Sequence, residues 1–195
     1  LWREKQLEYS FRRGLMRSYE NFGVCTSQAL DYTNAYLDTG LSTEHKATLL
    51  AEYRGLPAFD DVKESLVRLK ADGHSLYAFS NGTADAVETL LATAGIRDLF
   101  DGVVSTDDRQ TFKPNPDVYE YLLKATSTSA ANAWLISSNP FDVIGAVSYG
   151  LRSAWVQRTK NSIFDPWGIE PTHIITSLRE LASHIADSRA APETA

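Results

Sequence analysis

An apolar segment that stops abruptly at a polar cluster is the feature of this sequence that most restricts its fold. Ala133 to Ile136 are apolar, two serines and an asparagine follow, and Asp142 closes the cluster where a helical pattern resumes. A short apolar run of this kind fits a buried strand of a parallel sheet. The polar side chains then fall at the carboxyl end of that strand, where open α/β sheets bind ligands.

The same alternation of strand and helix recurs through the rest of the chain after residue 62. Strands are predicted at residues 75–79, 102–105, 133–137, 153–156 and 174–175. Helices are predicted at residues 62–71, 84–94, 116–125, 143–149 and 177–185. This alternation is typical of an α/β fold with a Rossmann-like, doubly wound parallel sheet.

The first 57 residues show helical periodicity without a strand signal. A long first helix is predicted up to about Phe22, because Phe11, Leu15, Tyr19 and Phe22 form one stripe. Two more helices are predicted at residues 26–37 and from Ser42 or Thr43 to about residue 53. Gly55-Leu56-Pro57 ends this region. We therefore predict a helical cap at residues 1–57, a core at 58–187 and a polar tail at 188–195.

Charge and cysteine content exclude several classes of function. The net charge of -6 disfavours nucleic acid and anionic membranes as partners, and no apolar stretch approaches a membrane span. Cys25 is the only cysteine, so we interpret it as a small buried side chain in a reducing cytoplasm. The four histidines show no metal-ligand spacing, and neither a P-loop nor a Gly-x-Ser-x-Gly motif occurs.

Three polar clusters follow predicted strands and should meet at one edge of the sheet. They are Ser80-Asn81-Gly82, Lys113-Pro114-Asn115-Pro116 and the cluster that ends at Asp142. Hydroxyl and amide donors, one ammonium and one carboxylate suit a site that handles an anion. Each cluster also has a purely structural interpretation, as turn chemistry, an exposed rigid loop or a favourable charge at a helix start.

In this order, the clusters resemble the motifs of the haloacid dehalogenase superfamily, and most closely those of the L-2-haloacid dehalogenases. The segment Leu1 to Tyr9 resembles the opening of their helical cap. Phe79-Ser80-Asn81-Gly82 resembles the second motif, Lys113-Pro114 with Val118-Tyr119 the third, and Ser137 to Asp142 the fourth. The resemblance covers nearly the whole chain, from Leu1 to about Ile185.

The resemblance implies hydrolytic dehalogenation of short L-2-haloacids through an aspartyl ester, without cofactor or metal. A haloacid and a halide ion would be the ligands, and the protein would form a homodimer. Asp142 and Asn139 would direct the hydrolytic water, and Ser80 would bind the substrate carboxylate. Lys113, Ser137 and Tyr119 would hold the nucleophile, Arg3 and Asn81 would receive the halide, and Leu7, Phe22 and Phe141 would form an apolar wall.

Two departures from the superfamily pattern bear on the chemistry. Phosphatases of the superfamily usually place two acidic residues in the fourth motif to hold Mg²⁺, whereas Ser138 and Asn139 leave Asp142 as the single carboxylate here. The nucleophile segment, of the type Asp-x-x-Gly-Thr, does not occur in this sequence, and the resemblance predicts it upstream of residue 1. A Mg²⁺-dependent phosphatase and an inactive, truncated or non-catalytic protein of this fold remain the alternatives.

Overall fold

The computed structural model describes residues 1–190, which form two compact units. The first unit consists of residues 1–57 and 77–118, and the second of residues 58–76 and the chain from Tyr119 onward. The predicted division into cap, core and tail stays a prediction, and most of the predicted tail lies outside the described residues. No helix within residues 1–190 is both long and apolar enough to cross a membrane.

Helices and parallel strands alternate as the sequence predicts. The described residues contain the α-helices α1 (Trp2–Met16), α2 (Phe22–Leu37), α3 (Thr43–Arg54), α4 (Val62–Ala71), α5 (Ala84–Thr93), α6 (Pro116–Ala125), α7 (Pro140–Ser148) and α8 (Leu181–Ala190). They also contain the strands β1 (Tyr77–Ser80), β2 (Gly102–Ser105), β3 (Trp134–Ser137), β4 (Arg152–Val156) and β5 (His173–Ile175).

Every strand pairing in the described residues is parallel, which confirms the predicted sheet type. In the first unit β1 pairs with β2 in a register that joins Tyr77 to Gly102 and Ser80 to Ser105. In the second unit the order is β3-β4-β5. Parallel pairing brings the carboxyl ends of neighbouring strands to the same edge. Ser80 and Ser137, which end β1 and β3, therefore open the polar turns of their own units.

The long first helix predicted up to Phe22 is wrong, because the chain breaks into α1 and α2. Arg17 adopts a left-handed conformation (φ 53°) that ends α1, and the Asn21 side chain accepts the Val24 N–H to cap α2. Leu15 is consequently 87% exposed instead of buried in a stripe. Tyr19 and Phe22 each pack against the ring of Phe112 instead.

The core of the second unit lies between its sheet and two helices. Seven buried side chains form one cluster: Leu69, Ala154, Val156, Ile175, Leu181, Ala182 and Ile185. They come from α4, β4, β5 and α8, so α4 and α8 pack on the face of the sheet. This packing fixes the strand ends from which the polar turns of the second unit project.

Candidate active site

Ser80 and the turn that follows it are fixed by hydrogen bonds between the ends of β1 and β2. The Ser80 hydroxyl accepts the Gly82 N–H at 3.0 Å, and the Ser105 hydroxyl donates to the Gly82 carbonyl at 2.7 Å. The accepted bond uses a lone pair of Ser80 Oγ and leaves its proton available as a donor. The turn therefore presents a hydroxyl donor at the carboxyl end of β1.

The Asn81 side chain is buried with a defined amide orientation. Its Oδ1 accepts the backbone N–H of Lys113 at 2.9 Å and the Thr106 hydroxyl at 3.2 Å. A backbone N–H can only donate, so the atom facing it must be the amide oxygen. The NH₂ group of Asn81 is consequently the end that can donate to an anion.

Lys113 lies beside Asn81 and is itself 7% exposed. Its Nζ donates to the Phe79 carbonyl at 3.1 Å and lies 4.7 Å from the centre of the Phe79 ring. The Lys113-Pro114 peptide bond is cis. The structure therefore brings Ser80, Asn81 and Lys113 to the same strand end of the first unit.

Arg3 and Leu7 lie one turn apart on α1. The exposed Arg3 is in the first turn of that helix, and its Nη1 donates to Gln6 Oε1 at 2.7 Å. Leu7 is half-buried on the next turn, and Phe22 begins α2 with its ring 6.1 Å from that of Phe112. The amino end of α1 carries a partial positive charge, which adds to the charge of Arg3.

In the second unit, Tyr119 contacts the residue at which the fourth motif ends. Tyr119 is fully buried, and its hydroxyl donates to the backbone carbonyl of Asp142 at 3.3 Å. Burial raises the pKa of Tyr119 far above its usual value, and the charge of Asp142 raises it further. The phenol therefore stays protonated and acts as a donor.

The turn after β3 is held by side-chain bonds to its backbone and leaves the Asn139 amide out of the helix cap. The Ser137 hydroxyl accepts the Asn139 N–H at 3.1 Å, and the Ser138 carbonyl accepts Trp155 Nε1 at 3.2 Å. Asn139 precedes α7, but its side chain makes no cap hydrogen bond. Phe141, in the first turn of α7, is half-buried.

Asp142 is a carboxylate 4% exposed in the first turn of α7. The helix dipole stabilises a negative charge at this position. Among residues 1–190, no group of three or more His, Cys, Asp and Glu side chains is placed to hold a metal ion. The second unit thus places one buried carboxylate beside the turn that carries Asn139 and Ser137.

Sequence reasoning missed two buried polar residues whose side chains hydrogen-bond to those of predicted site residues. Gln6 follows Arg3 at a spacing of three, which allows contact on a helix, and this signal was present in the sequence. Thr106 follows β2 and bonds Asn81 across 25 positions, so no local pattern indicates it. Both side chains are buried and polar, which requires partners that only the fold supplies.

Comparisons with known proteins agree with the motif resemblance. The family model described as haloacid dehalogenase-like hydrolase matches residues 18–156. The chain is 38% identical over 179 residues to an (S)-2-haloacid dehalogenase of Pseudomonas sp. strain YL, covering 92% of this chain and 77% of that protein. An (S)-2-haloacid dehalogenase of Pseudomonas putida is 34% identical over 188 residues, covering 96% of this chain and 82% of its own length.

Solved structures of L-2-haloacid dehalogenases share the fold of this chain. The L-2-haloacid dehalogenase of Xanthobacter autotrophicus superposes with a TM-score of 0.86 at 30% identity, over 95% of this chain and 84% of the other. A second structure of that protein, with chloropropionic acid covalently bound, gives the same TM-score.

Proposed function

The chain belongs to the haloacid dehalogenase-like hydrolase family, and from this membership we propose that it is an (S)-2-haloacid dehalogenase. The reaction is the hydrolysis of a short L-2-haloacid to a 2-hydroxyacid and halide. It proceeds through an ester between the substrate and an enzyme carboxylate. The support is the identity to named (S)-2-haloacid dehalogenases over most of the chain.

The burial of Asp142 and the neutral side chains around it in the fourth motif are the observation that carries the proposal. Asp142 is a buried carboxylate whose neighbours in the fourth motif are neutral: Ser137, Ser138 and Asn139. One carboxylate with neutral neighbours is a poor Mg²⁺ site, because a hard cation needs several oxygen ligands and compensating charge. The same carboxylate can accept a proton from water, so it suits ester hydrolysis better than metal-dependent phosphate chemistry.

In the first step, a carboxylate oxygen attacks carbon 2 of the haloacid and the carbon–halogen bond breaks with inversion. The attacking carboxylate is not assigned to a residue of this sequence. Ser80 donates to the substrate carboxylate, while the Asn81 NH₂ group and the Arg3 guanidinium receive the halide, which leaves with the bonding electrons. Lys113 keeps the attacking carboxylate charged, and the apolar side chains Leu7, Phe22 and Phe141 exclude water that would solvate it.

In the second step, water attacks the carbonyl carbon of the ester. Asp142 accepts a proton from this water, and Asn139 holds the water by a hydrogen bond. The acyl carbon–oxygen bond breaks, the leaving alkoxide takes the proton of the newly formed carboxyl group, and the proton on Asp142 passes to solvent. The 2-hydroxyacid leaves with its new oxygen taken from the enzyme carboxylate. Tyr119 supports this step indirectly, because its hydroxyl bonds the Asp142 backbone and fixes the start of α7. Ser137 holds the Asn139 backbone in the same way.

A cytoplasmic location and a homodimeric assembly are further parts of the proposal. The buried, reduced thiol of Cys25 suits a reducing compartment. Helices α1 and α2 expose the apolar side chains Leu15, Met16, Tyr36 and Leu37, at 54% or more each, and a second copy could cover them. Light scattering of the purified protein tests the assembly, since a monomeric mass would contradict it.

Halide release from L-2-chloropropionate by the natural gene product tests the proposed activity. We expect one chloride and one 2-hydroxypropionate per substrate, with the D enantiomer unreacted as the control. A single turnover in ¹⁸O-water should place the label in the protein and not in the product, since water attacks the ester carbonyl. A folded protein that releases no chloride would contradict the proposal, and label in the first product would contradict the ester.

A further inference from the structure

Gln6 is a buried polar side chain at the point where the three helices α1, α2 and α3 meet. It is 1% exposed, and both ends of its amide are hydrogen-bonded. Its Oε1 accepts Arg3 Nη1 at 2.7 Å and the Tyr53 hydroxyl at 3.1 Å, while its Nε2 donates to the Thr26 hydroxyl. A buried amide costs stability unless it is bonded, so this position needs each of these partners.

The orientation of the Gln6 amide follows from the bonds around Thr26. The Thr26 hydroxyl donates its one proton to the Phe22 carbonyl at 2.7 Å, so toward Gln6 its oxygen can only accept. The end of Gln6 that faces Thr26 must therefore be the NH₂ group, and the oxygen must face Arg3. The arrangement therefore fixes Gln6 Oε1 as an acceptor that faces the Arg3 guanidinium.

Trp2 holds the same end of α1 against the same two helices. Its Nε1 donates to the Thr26 carbonyl at 2.8 Å, and its ring lies 5.6 Å from that of Tyr53. Residues 2 and 6 thus bind α1 to both α2 and α3 on either side of Arg3. The exposed Arg3 side chain is anchored at one of its nitrogens by a part-buried hydrogen bond.

Because the Gln6 side chain is neutral, it leaves the positive charge of Arg3 available to an anion. An amide oxygen orients a guanidinium without neutralising it, whereas a carboxylate would do both. Arg3 has five N–H donors, and Gln6 is bonded to one nitrogen, so the others can face a halide. Holding a long side chain in place before the reaction lowers the entropy that it loses when it binds the anion.

We propose that Gln6 is the positioning residue that holds the Arg3 guanidinium in place for the departing halide. The inference rests on the proposed function, because it deepens the role given there to Arg3. Thr26 and Tyr53 set the orientation of Gln6, so the packing of three helices determines where the positive charge lies.

A double-mutant cycle between Arg3 and Gln6 tests this proposal. We expect Gln6→Met to lower kcat/KM for L-2-chloropropionate about tenfold, as a hydrogen bond to a charged group is lost. In an Arg3→Met background, the same change should alter kcat/KM by less than about twofold, since nothing remains to position. Equal losses in both backgrounds would show that Gln6 is only structural and would overturn the proposal.

Gln6→Glu provides a second variant in case Gln6→Met folds poorly. It keeps the shape and the bond to Arg3 and pairs the guanidinium with a negative charge, but it loses the bond donated to the Thr26 hydroxyl. We expect bromide to raise the thermal midpoint of the natural gene product clearly more than that of Gln6→Glu. An equal bromide effect in both proteins would contradict the proposal.

Gln28→Met is the matched control, because Arg13 Nη2 donates to Gln28 Oε1 at 2.9 Å on the exposed surface of the same unit. It should leave kcat/KM unchanged, and a loss like that of Gln6→Met would contradict a specific role for Gln6. Arg3→Met alone separates the two levels of the hypothesis. If it kept full activity, the halide role of Arg3 would be wrong, whereas a wild-type protein without dehalogenation would contradict the proposed function itself.

Discussion

Replacing Asp61 with asparagine tests whether one buried negative charge stabilises the second unit. Asp61 is 4% exposed and precedes α4. Its Oδ2 accepts Arg158 Nη1 at 2.6 Å, the Leu178 N–H at 2.7 Å and the Ser177 hydroxyl at 3.0 Å. These donors follow β4 and β5, so the carboxylate joins the start of α4 to the carboxyl ends of two strands.

The magnitude follows from the pKa of Asp61. Burial by itself would raise this pKa, but the hydrogen bonds from Arg158, Leu178 and Ser177 outweigh burial and lower it from 3.8 to about 2. At 1.36 kcal/mol per pKa unit, the shift corresponds to about 2 kcal/mol. Because the folded state favours the charged carboxylate, this contribution is complete above about pH 5 and is lost as the pH falls through about 2.

Urea denaturation followed by circular dichroism measures the effect. We expect Asp61→Asn to lower the free energy of unfolding by about 2 to 3 kcal/mol at pH 7, since it also leaves Arg158 without its counter-charge. About half of the contribution of about 2 kcal/mol that follows from the pKa shift should remain at pH 3. Glu64→Gln is the control: its ion pair with Arg179 is exposed, so no measurable loss is expected. A loss of equal size at pH 7 and pH 3 would refute the argument.

Four further substitutions test the roles of single residues. Asp142→Asn should release about one halide per protein and then stop with the ester intact, as halide counting and protein mass would show; continued release would contradict its role. Thr106→Val should lower kcat/KM by about two- to tenfold, because the Lys113 N–H still orients Asn81; a larger loss would mean that the hydroxyl alone orients the amide. Tyr119→Phe should lower the free energy of unfolding by about 1 kcal/mol, measured in urea; an unchanged value would mean that its bond is weak. Burial and His184 lower the pKa of His173, so the stability of the protein should fall as the pH drops below about 6.5. His173→Phe should weaken this pH dependence, as melting curves recorded at several pH values would show. An unchanged pH dependence would contradict the expectation.

The elements that the sequence predicts well are those with a strong local pattern and a clear stop. α6 and β2 match their predicted bounds, and α4 does too, because glycine, proline or a polar cluster marks their ends. The polar turns after Ser80 and Ser137 are found for the same reason. Periodicity alone extended α1 too far, because Tyr19 and Phe22 continue its apolar spacing while their rings belong to the environment of Phe112.

Contacts between positions that are far apart in the sequence could not be predicted from local patterns. Asp61 looks like one half of an ordinary acidic pair in the sequence, and its donors lie 97 to 117 positions away. No local pattern indicates that Thr106 contacts Asn81 either. Gln6 could be paired with Arg3 by spacing, but its burial depends on Thr26 and Tyr53, which come from two other helices. Burial of polar side chains is a property of packing, and packing joins segments that no sequence window contains.

The discontinuity of the two units limits how this chain can be divided by genetic means. Each unit is assembled from two separate segments, with crossings after Pro57, Leu76 and Val118. A single recombination point therefore cannot exchange one unit and leave the other whole, because at least one unit would combine segments from both parents. Expressed alone, residues 1–57 would lack Phe112, on which the rings of Tyr19 and Phe22 pack. A chimera that exchanges one whole unit and keeps the other needs junctions at all three crossings, so that both segments of each unit are inherited together.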